Sequence, residues 1–407
     1  MRNVSHSRAI AAFLLAALCL TLTAGALAAG EKNIDNLPVG TTEGYRTGAE
    51  WFGDDMKYDV TDEEACWELL MRPITVLDVS EKETVYPLDA PGGKKVLNEW
   101  QGGFINGQLS AVHVLGPDED GYTLIEGMDY YNRIISGYVK TSLLKERTPN
   151  QTYGLIIDKL TQRLYGYSEG KLWSSCAVST GEPNKTQPYN ETSAGEFMIG
   201  SWVGGFGDDG GMYCEMAIRY NGGDMIHQVP YVTLADGSKR FTKFEELLGQ
   251  RASHGCVRVA RIPNEEGLSI KWLWDNLKKG TKVLVWDDHG RALPYPDDSL
   301  ELFYNPDGGS YYHSSATCGS VKAKYLPLTA FPYSELDSGA YAKLKPCPSC
   351  SPVRRKAIID EQNAARGAAT GQEAEATASP EPTETVAAPQ ESPAPSEGVT
   401  IVIRDPK

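Results

Sequence analysis

The chain has 407 residues, 41 % of them hydrophobic, and its 54 Asp and Glu outnumber 39 Lys and Arg to leave a formal net charge of −15. One ordinary core does not absorb that length, so two or three domains with linkers are expected. The acidic balance argues against nucleic acid as a partner and against simple electrostatic adhesion to anionic envelope polymers, so any such binding requires a specific site.

At the N-terminus, Arg2 and Arg8 precede an apolar stretch from Ala9 to Leu22 and an Ala-rich run that ends at Ala28 and Ala29. These are the parts of a secretory signal peptide over 1–29 with an A-x-A-like cleavage site. Cys19 does not suit lipid attachment, because Leu18 stands where a small residue is needed and more apolar sequence follows. No later segment reaches the ~20 apolar residues of a membrane span. The mature chain is therefore expected to be secreted to the cell wall or envelope and not to span the membrane. Eight cysteines, one of them in the signal, leave an odd number in a compartment that permits disulfides, so at least one thiol stays unpaired or binds metal.

Residues 30–72 read as a Gly- and Asp-rich linker and then a short helix. Thr61 and Glu64 have capping-box spacing ahead of Trp67, Leu69 and Leu70, and Pro73 stops the helix. Cys66 reads as a core thiol. From Ile74 to Lys145 the pattern turns to short β-rich runs: 74–77, 111–115, 122–125 and 134–139. The stretch from Gly137 to Leu144 resembles the last strand and turn of bacterial Src-homology-3-like wall-binding modules. That resemblance implies a small β-barrel over 73–148, acting on the wall or as a spacer.

The segment 151–289 opens with strand-like runs at 153–158 and 163–167, continues to a helical stretch at 268–277, and closes on a strand at 282–286. It reads as a mainly β domain with one or two helices. Cys176 and Cys214 read as buried thiols or one disulfide. Its most informative stretch is Ser253-His254-Gly255-Cys256-Val257-Arg258. A thiol is a useful nucleophile only as thiolate, which calls for a nearby base, and histidine is the natural partner. His289 sits past the last strand among charged residues, which leaves two candidates. His227 ends an apolar run and is placed to act as general base across a cleft, whereas His254 is better suited to shaping the site. Gly255 permits a tight turn in which the amides of Gly255 and Cys256 converge on a developing oxyanion. Arg258, two residues on and on the same side as Cys256, suits a substrate carboxylate.

This string resembles the active-site signature of the L,D-transpeptidase (YkuD) family. Several landmarks agree in order: Asp158 and Leu164-Tyr165, Val178-Ser179-Thr180-Gly181, Thr192 to Phe197, His227, the signature itself, and Gly280 to Val283. The resemblance implies that Cys256 forms an acyl-enzyme with His227 as base, and that Ser253, His254 and Gly255 shape the oxyanion site. It implies attack on a peptidoglycan stem tetrapeptide, with the acyl group passed to an amine or to water and with no cofactor for catalysis. Gln228 stands where Gly or Ser is more typical, and Arg258 where the family often has Asn; both are expected to touch substrate. The interval from His227 to Cys256 is long, so 229–251 is expected to hold an inserted loop over the cleft. Two other readings remain. An NlpC-type wall endopeptidase places its cysteine before its histidine, the reverse of the order here, and a non-catalytic wall-binding protein leaves Cys256 inert.

A Tyr-rich segment over 299–356 contains His313, Cys318, Cys347 and Cys350, a Cys3His set whose C-x-x-C pair suits a structural zinc, with a disulfide as the alternative. It resembles small metal-ribbon appendages of Gram-positive exported proteins. Residues 364–407 are rich in Ala, Pro, Glu, Thr and Ser and read as a disordered acidic tail. The chain as a whole is expected to be mainly β and multidomain.

Overall fold

The computed structural model describes residues 40–41, 59–97, 102–129, 134–184, 187–207, 211–288 and 291–364. The expected signal peptide, most of the linker after it, His289 and the tail from 365 onward lie outside the described residues. Among the described residues, strands dominate and no helix is long and apolar enough to cross a membrane.

The strand-like runs expected in 73–148 form a six-stranded antiparallel sheet. Its order is Gly40–Thr41, Ile134–Lys140, Tyr122–Met128, Ala111–Glu119, Ile74–Leu77 and Leu144–Arg147. Pairing of Ile74–Leu77 with Leu144–Arg147 brings the two ends of the segment together over a core that includes Leu77, Ile105, Val112, Ile125 and Ile135. The sheet abuts the next domain: Met198 N–H donates to the Leu109 carbonyl at 2.9 Å, and Met198 shares a buried cluster with Ile74, Val76 and Ala111.

An 11-stranded sheet carries the rest of the 151–289 domain. Two of its strands explain the unbroken apolar runs in the sequence. In Tyr153–Asp158, Leu155 and Ile157 face one core while Ile156 faces another. In Lys282–Trp286, Val283 and Val285 join the first core, and Leu284 and Trp286 the second. Side chains alternate across a strand, so a strand buried on both faces has no polar side to show.

The first core is filled from the opposite direction by Ile226, Val257 and Val259 and by the helix Ile270–Asn276, whose N-cap Ser269 accepts from Trp272 N–H at 3.3 Å. The second core is covered by the helix Glu63–Met71, which buries Cys66 and Leu70 against it. That helix therefore belongs to the packing of the 151–289 domain and not to a linker. Burial of Leu70 alone contributes about 2 kcal/mol. The approach is close enough that a Cβ on Gly154 would lie 2.7 Å from Leu70.

The cap of this helix is Asp62, accepting from Ala65 N–H at 3.2 Å, and not Thr61 as the capping-box spacing suggests, because Thr61 turns its hydroxyl to Asp59 at 2.7 Å. At the other end the buried Lys282 ammonium donates to the carbonyls of Leu69 and Arg72 at 2.6 and 2.9 Å and pairs with Glu196. A cation on the last carbonyls complements the helix dipole.

The expected insertion at 229–251 is ordered structure. Strands Tyr231–Thr233 and Lys239–Arg240 extend the large sheet, and the short helix Thr242–Glu245 follows. Phe244, Leu248 and Val229 bury themselves with Ala177 and Ala260. The 299–356 segment forms its own four-stranded sheet, and the chain continues as a helix over 356–364, beyond the expected limit of the appendage.

Candidate active site

Parallel pairing of Met225–Gln228 with Val257–Val259 builds the site, placing Ile226 beside Val257 and His227 beside Arg258. Ile226, Val257 and Val259 point into the first core. By alternation, His227, Arg258 and the preceding Cys256 share the opposite face. His227 thus sits on one strand, and Cys256 in the turn that leads directly into its neighbour.

The Ser253–Cys256 turn is stitched down on both sides. The amides of Ala252 and Ser253 both donate to the Thr180 carbonyl, at 2.9 and 3.0 Å, and Glu182 N–H donates to the Ser253 carbonyl at 2.9 Å. Thr192 Oγ1 donates to the Gly255 carbonyl at 2.5 Å and accepts from Gly181 N–H at 2.8 Å. Ser253 Oγ donates to the Cys256 carbonyl and accepts from Gly255 N–H at 3.2 Å. The Gly255 amide is therefore occupied by Ser253, which corrects the expectation that it is a free oxyanion donor. Gly255 has φ +119°, and a Cβ there would fall 2.6 Å from Asp224 Oδ1, so only glycine fits. His254 is exposed, as suits a residue that borders the site.

A buried ionic cluster holds the approach to this turn. Arg251 pairs with Glu191 at 2.8 Å and Asp288 at 2.6 Å, while Lys159 pairs with the same Glu191 at 2.6 Å and with Asp287 at 2.8 Å. Each charge has an opposite partner, which burial of ions requires.

His227 is buried, and its Nδ1 lies 2.6 Å from the Gln228 carbonyl. A carbonyl only accepts, so Nδ1 carries the proton and Nε2 is left as the basic nitrogen. Gln228 thus enters the site through its backbone. Burial drives His227 down to about 4, with the Arg258 charge adding to the fall. Phe206 sets its ring edge-on to the imidazole, centroids 5.2 Å apart.

Cys256 keeps some exposed surface, yet desolvation of its sulfur and the nearby Asp224 carboxylate push the thiol up to about 12. The Met225 amide and the Arg258 and Arg219 charges act the other way. At neutral pH the pair is therefore a neutral thiol and a neutral imidazole.

Arg258 is 5 % exposed and packs on the Phe244 ring at 5.7 Å, and its Nε has no hydrogen-bond partner among the described residues. A buried guanidinium that forms no ion pair among the described residues, with the Glu182 carboxylate acting on it only from a distance, suits an anionic ligand.

Asp224, Asn221 and Tyr220 join the site without any advance signal, because Asn221-Gly222-Gly223-Asp224 reads as an ordinary turn. Burial raises Asp224 to about 6, against hydrogen bonds from Asn221 and Ser193. Asn221 Oδ1 in turn accepts from Ser110 Oγ at 2.7 Å, which ties the N-terminal sheet to this turn. The Tyr220 hydroxyl is buried without a partner among the described residues.

The other cysteines sort simply. Cys66, Cys176 and Cys214 are buried free thiols, so the disulfide considered for Cys176 and Cys214 is not formed. His313, Cys318, Cys347 and Cys350 converge, with their candidate ligand atoms all within 4.8 Å of one another.

Residues 152–285 match the family model of the L,D-transpeptidase catalytic domain, YkuD. The likeness of this chain to that family lies in this segment. YciB of Bacillus subtilis (strain 168), itself named provisionally as an L,D-transpeptidase, is 30 % identical over 98 residues, 23 % of this chain and 46 % of YciB. The chain thus spans about half the length of the curated relative it matches. An L,D-transpeptidase from Stackebrandtia nassauensis is 19 % identical, with 35 % of this chain and 58 % of that one covered at a TM-score of 0.24. One from Enterococcus faecium is 21 % identical, with 34 % and 50 % covered at a TM-score of 0.24. The matched segment contains both His227 and the Ser253–Cys256 turn.

Proposed function

We propose that the chain is an exported peptidoglycan L,D-transpeptidase in which Cys256 is the nucleophile and His227 the base. The observation that carries this reading is a tautomer-fixed His227 on the strand paired with Val257–Val259, the strand that Cys256 leads into, inside the segment that matches the YkuD family model.

The substrate is a stem tetrapeptide, cut between the L-centre of its third residue and the terminal D-alanine. Nε2 of His227 takes the Cys256 proton as the sulfur attacks the carbonyl carbon, so a charged thiolate is never required in the resting site. The proton passes to the departing amine of D-alanine, the carbon–nitrogen bond breaks, and a thioester remains. An acceptor amine then gives its proton to His227 and attacks the thioester, and the thiol leaves reprotonated. Water in place of the amine trims the peptide instead. The unpaired Arg258 guanidinium holds a substrate carboxylate during the first half. In this reading the 73–148 sheet is the wall-retaining module and the activity lies in the cell envelope.

Intact-protein mass spectrometry of the mature chain and its Cys256→Ala variant tests this, with a carbapenem and separately with tetrapeptide muropeptides. The expected result is an adduct and new muropeptide products that depend on Cys256, with product masses that separate transfer from hydrolysis. Products of equal amount from Cys256→Ala would sink the reading. Absence of both adduct and product leaves a wall-binding protein.

A further inference from the structure

Away from the active-site face, the geometry points to a tetrahedral zinc site made by His313, Cys318, Cys347 and Cys350, with the ion holding the C-terminal segment folded against the catalytic sheet. This site stands independently of the proposed catalytic activity.

Parallel pairing of Tyr311–His313 with Lys345–Pro346 matches Tyr312 to Pro346, and so carries His313 to the side of Cys347. Ser351 N–H donates to the Cys347 carbonyl at 2.9 Å, closing the Cys347-Pro348-Ser349-Cys350 turn and bringing the second thiol back. Cys318 enters from the loop beyond His313. The Cys318 and Cys347 sulfurs are 3.9 Å apart, and Cys350 Sγ is 3.6 Å from His313 Nδ1. Zn–S bonds of about 2.3 Å and Zn–N bonds of about 2.0 Å in a tetrahedron demand S–S edges of about 3.8 Å and S–N edges of about 3.5 Å.

Three thiols form at most one disulfide, which would strand the third with a buried imidazole, and all three are free. The surroundings suit sulfur that carries charge. Ser314 N–H donates to Cys350 Sγ at 3.3 Å, and the Ser320 hydroxyl lies 3.1 Å from Cys318 Sγ and 3.3 Å from Cys347 Sγ. Donors aimed at ligand sulfurs are the usual outer partners of a thiolate site. Sulfur and imidazole exclude the hard ions Ca2+ and Mg2+ and favour zinc, and four protein ligands leave no open position for catalysis.

The segment also needs the ion. Its hydrophobic cluster contains only Leu302, Tyr312, Phe331, Tyr333 and Leu336 as buried members, too little to hold a domain of this size unaided. The turn that supplies Cys347 and Cys350 continues directly into the contacts with the catalytic domain. Arg163 donates to the Ser351 carbonyl at 3.2 Å, and Arg354 donates to the Leu248 carbonyl while its guanidinium lies over Gly249. Gly249 N–H donates to the Val178 carbonyl at 2.8 Å, and Arg251 and the Ser253–Cys256 turn follow.

The test uses the mature full-length chain purified without chelator under reducing conditions. Elemental mass spectrometry is expected to find one zinc per chain, released in step with mercurial titration of the cluster thiols. Cys350→Ser is expected to lose the metal under a chelator challenge that leaves Cys256→Ala loaded. If Cys350→Ser fails to accumulate, cobalt exchange into the parent protein supplies the second readout, an intense thiolate-to-cobalt absorption of tetrahedral type. Hydrogen exchange is expected to accelerate over 299–356 and at 248–253 when the metal is stripped. No bound metal after zinc loading, a redox metal in its place, or a disulfide within the cluster in a non-reduced peptide map overturns the site. Unchanged exchange in stripped protein overturns the folding role.

Discussion

Three side chains set the acid–base character of the site, and burial works on them in opposite directions. His227 lies at about 4 when folded against an ordinary 6.5, so unfolding takes up a proton between those values and stability is lost as pH falls through that window. Asp224 lies at about 6 against 3.8, so its contribution is present below 3.8 and is lost as pH rises through about 6. Asp224→Asn removes the second effect. It is expected to stabilise the protein at pH 7 by up to roughly 3 kcal/mol, with the gain gone near pH 4, as measured by urea unfolding at both values. The same variant lifts one of the charges that raises Cys256, so its iodoacetamide alkylation profile should move to lower pH; an unmoved profile would mean that desolvation alone sets the thiol. Acylation by a carbapenem in Asp224→Asn should lose rate on the acid side with a midpoint near 4, not near 6.5, because the imidazole stays neutral until then. The Cys256 and His227 expectation comes from the Ser253–Cys256 string and its likeness to a family signature, since a cysteine and a histidine in one domain are by themselves more often structural. Asp224 is not legible in the sequence, because its meaning comes from standing against Gly255, a contact that register creates.

Among the elements, the helix Glu63–Met71 is the one whose role the sequence hides. Its capping residues and Pro73 make the helix itself readable, but nothing local says that it covers Ile156, Tyr167 and Trp286, partners separated from it by about ninety residues or more. The strands it covers give a clue, because their unbroken apolar runs require a second covered face. Leu70→Ala is expected to cost about 2–5 kcal/mol by leaving a cavity over Gly154, measured as a lowered urea midpoint with unchanged slope. A chain that starts at Gln151 is expected to expose that face and aggregate, whereas one that starts at Asp59 stays monomeric in gel filtration. The 229–251 insertion was readable as extra length only. Its sheet pairing depends on Met212 and Tyr213, which meet Val232 and Tyr231 across the strand edge.

For the whole molecule, the catalytic sheet is braced from both ends of the chain. Ser110 of the N-terminal sheet reaches Asn221 beside the site, and Arg354 of the C-terminal segment reaches Leu248 ahead of the nucleophile turn. A chain ended after Asp297 loses Arg354 and the Ser351 carbonyl that Arg163 uses. At about 1.5–3 kcal/mol for each hydrogen bond from a charged donor, a clearly lower melting temperature and slower acylation are expected. An unchanged melting temperature would show the C-terminal segment to be energetically separate. Composition shifts along the chain suggest where segments begin and end, but these braces are not readable, since they join residues about one hundred apart. The parallel pairing of Met225–Gln228 with Val257–Val259 has one more effect. Slipping that pair by one residue turns His227 into the hydrophobic core and Ile226 out, so a one-residue slip leaves no imidazole on the site face. If the proposed acyl-enzyme forms, a covalent titrant of Cys256 therefore tells one-residue-slipped molecules from native ones, and the labelled fraction becomes a measure of folding fidelity.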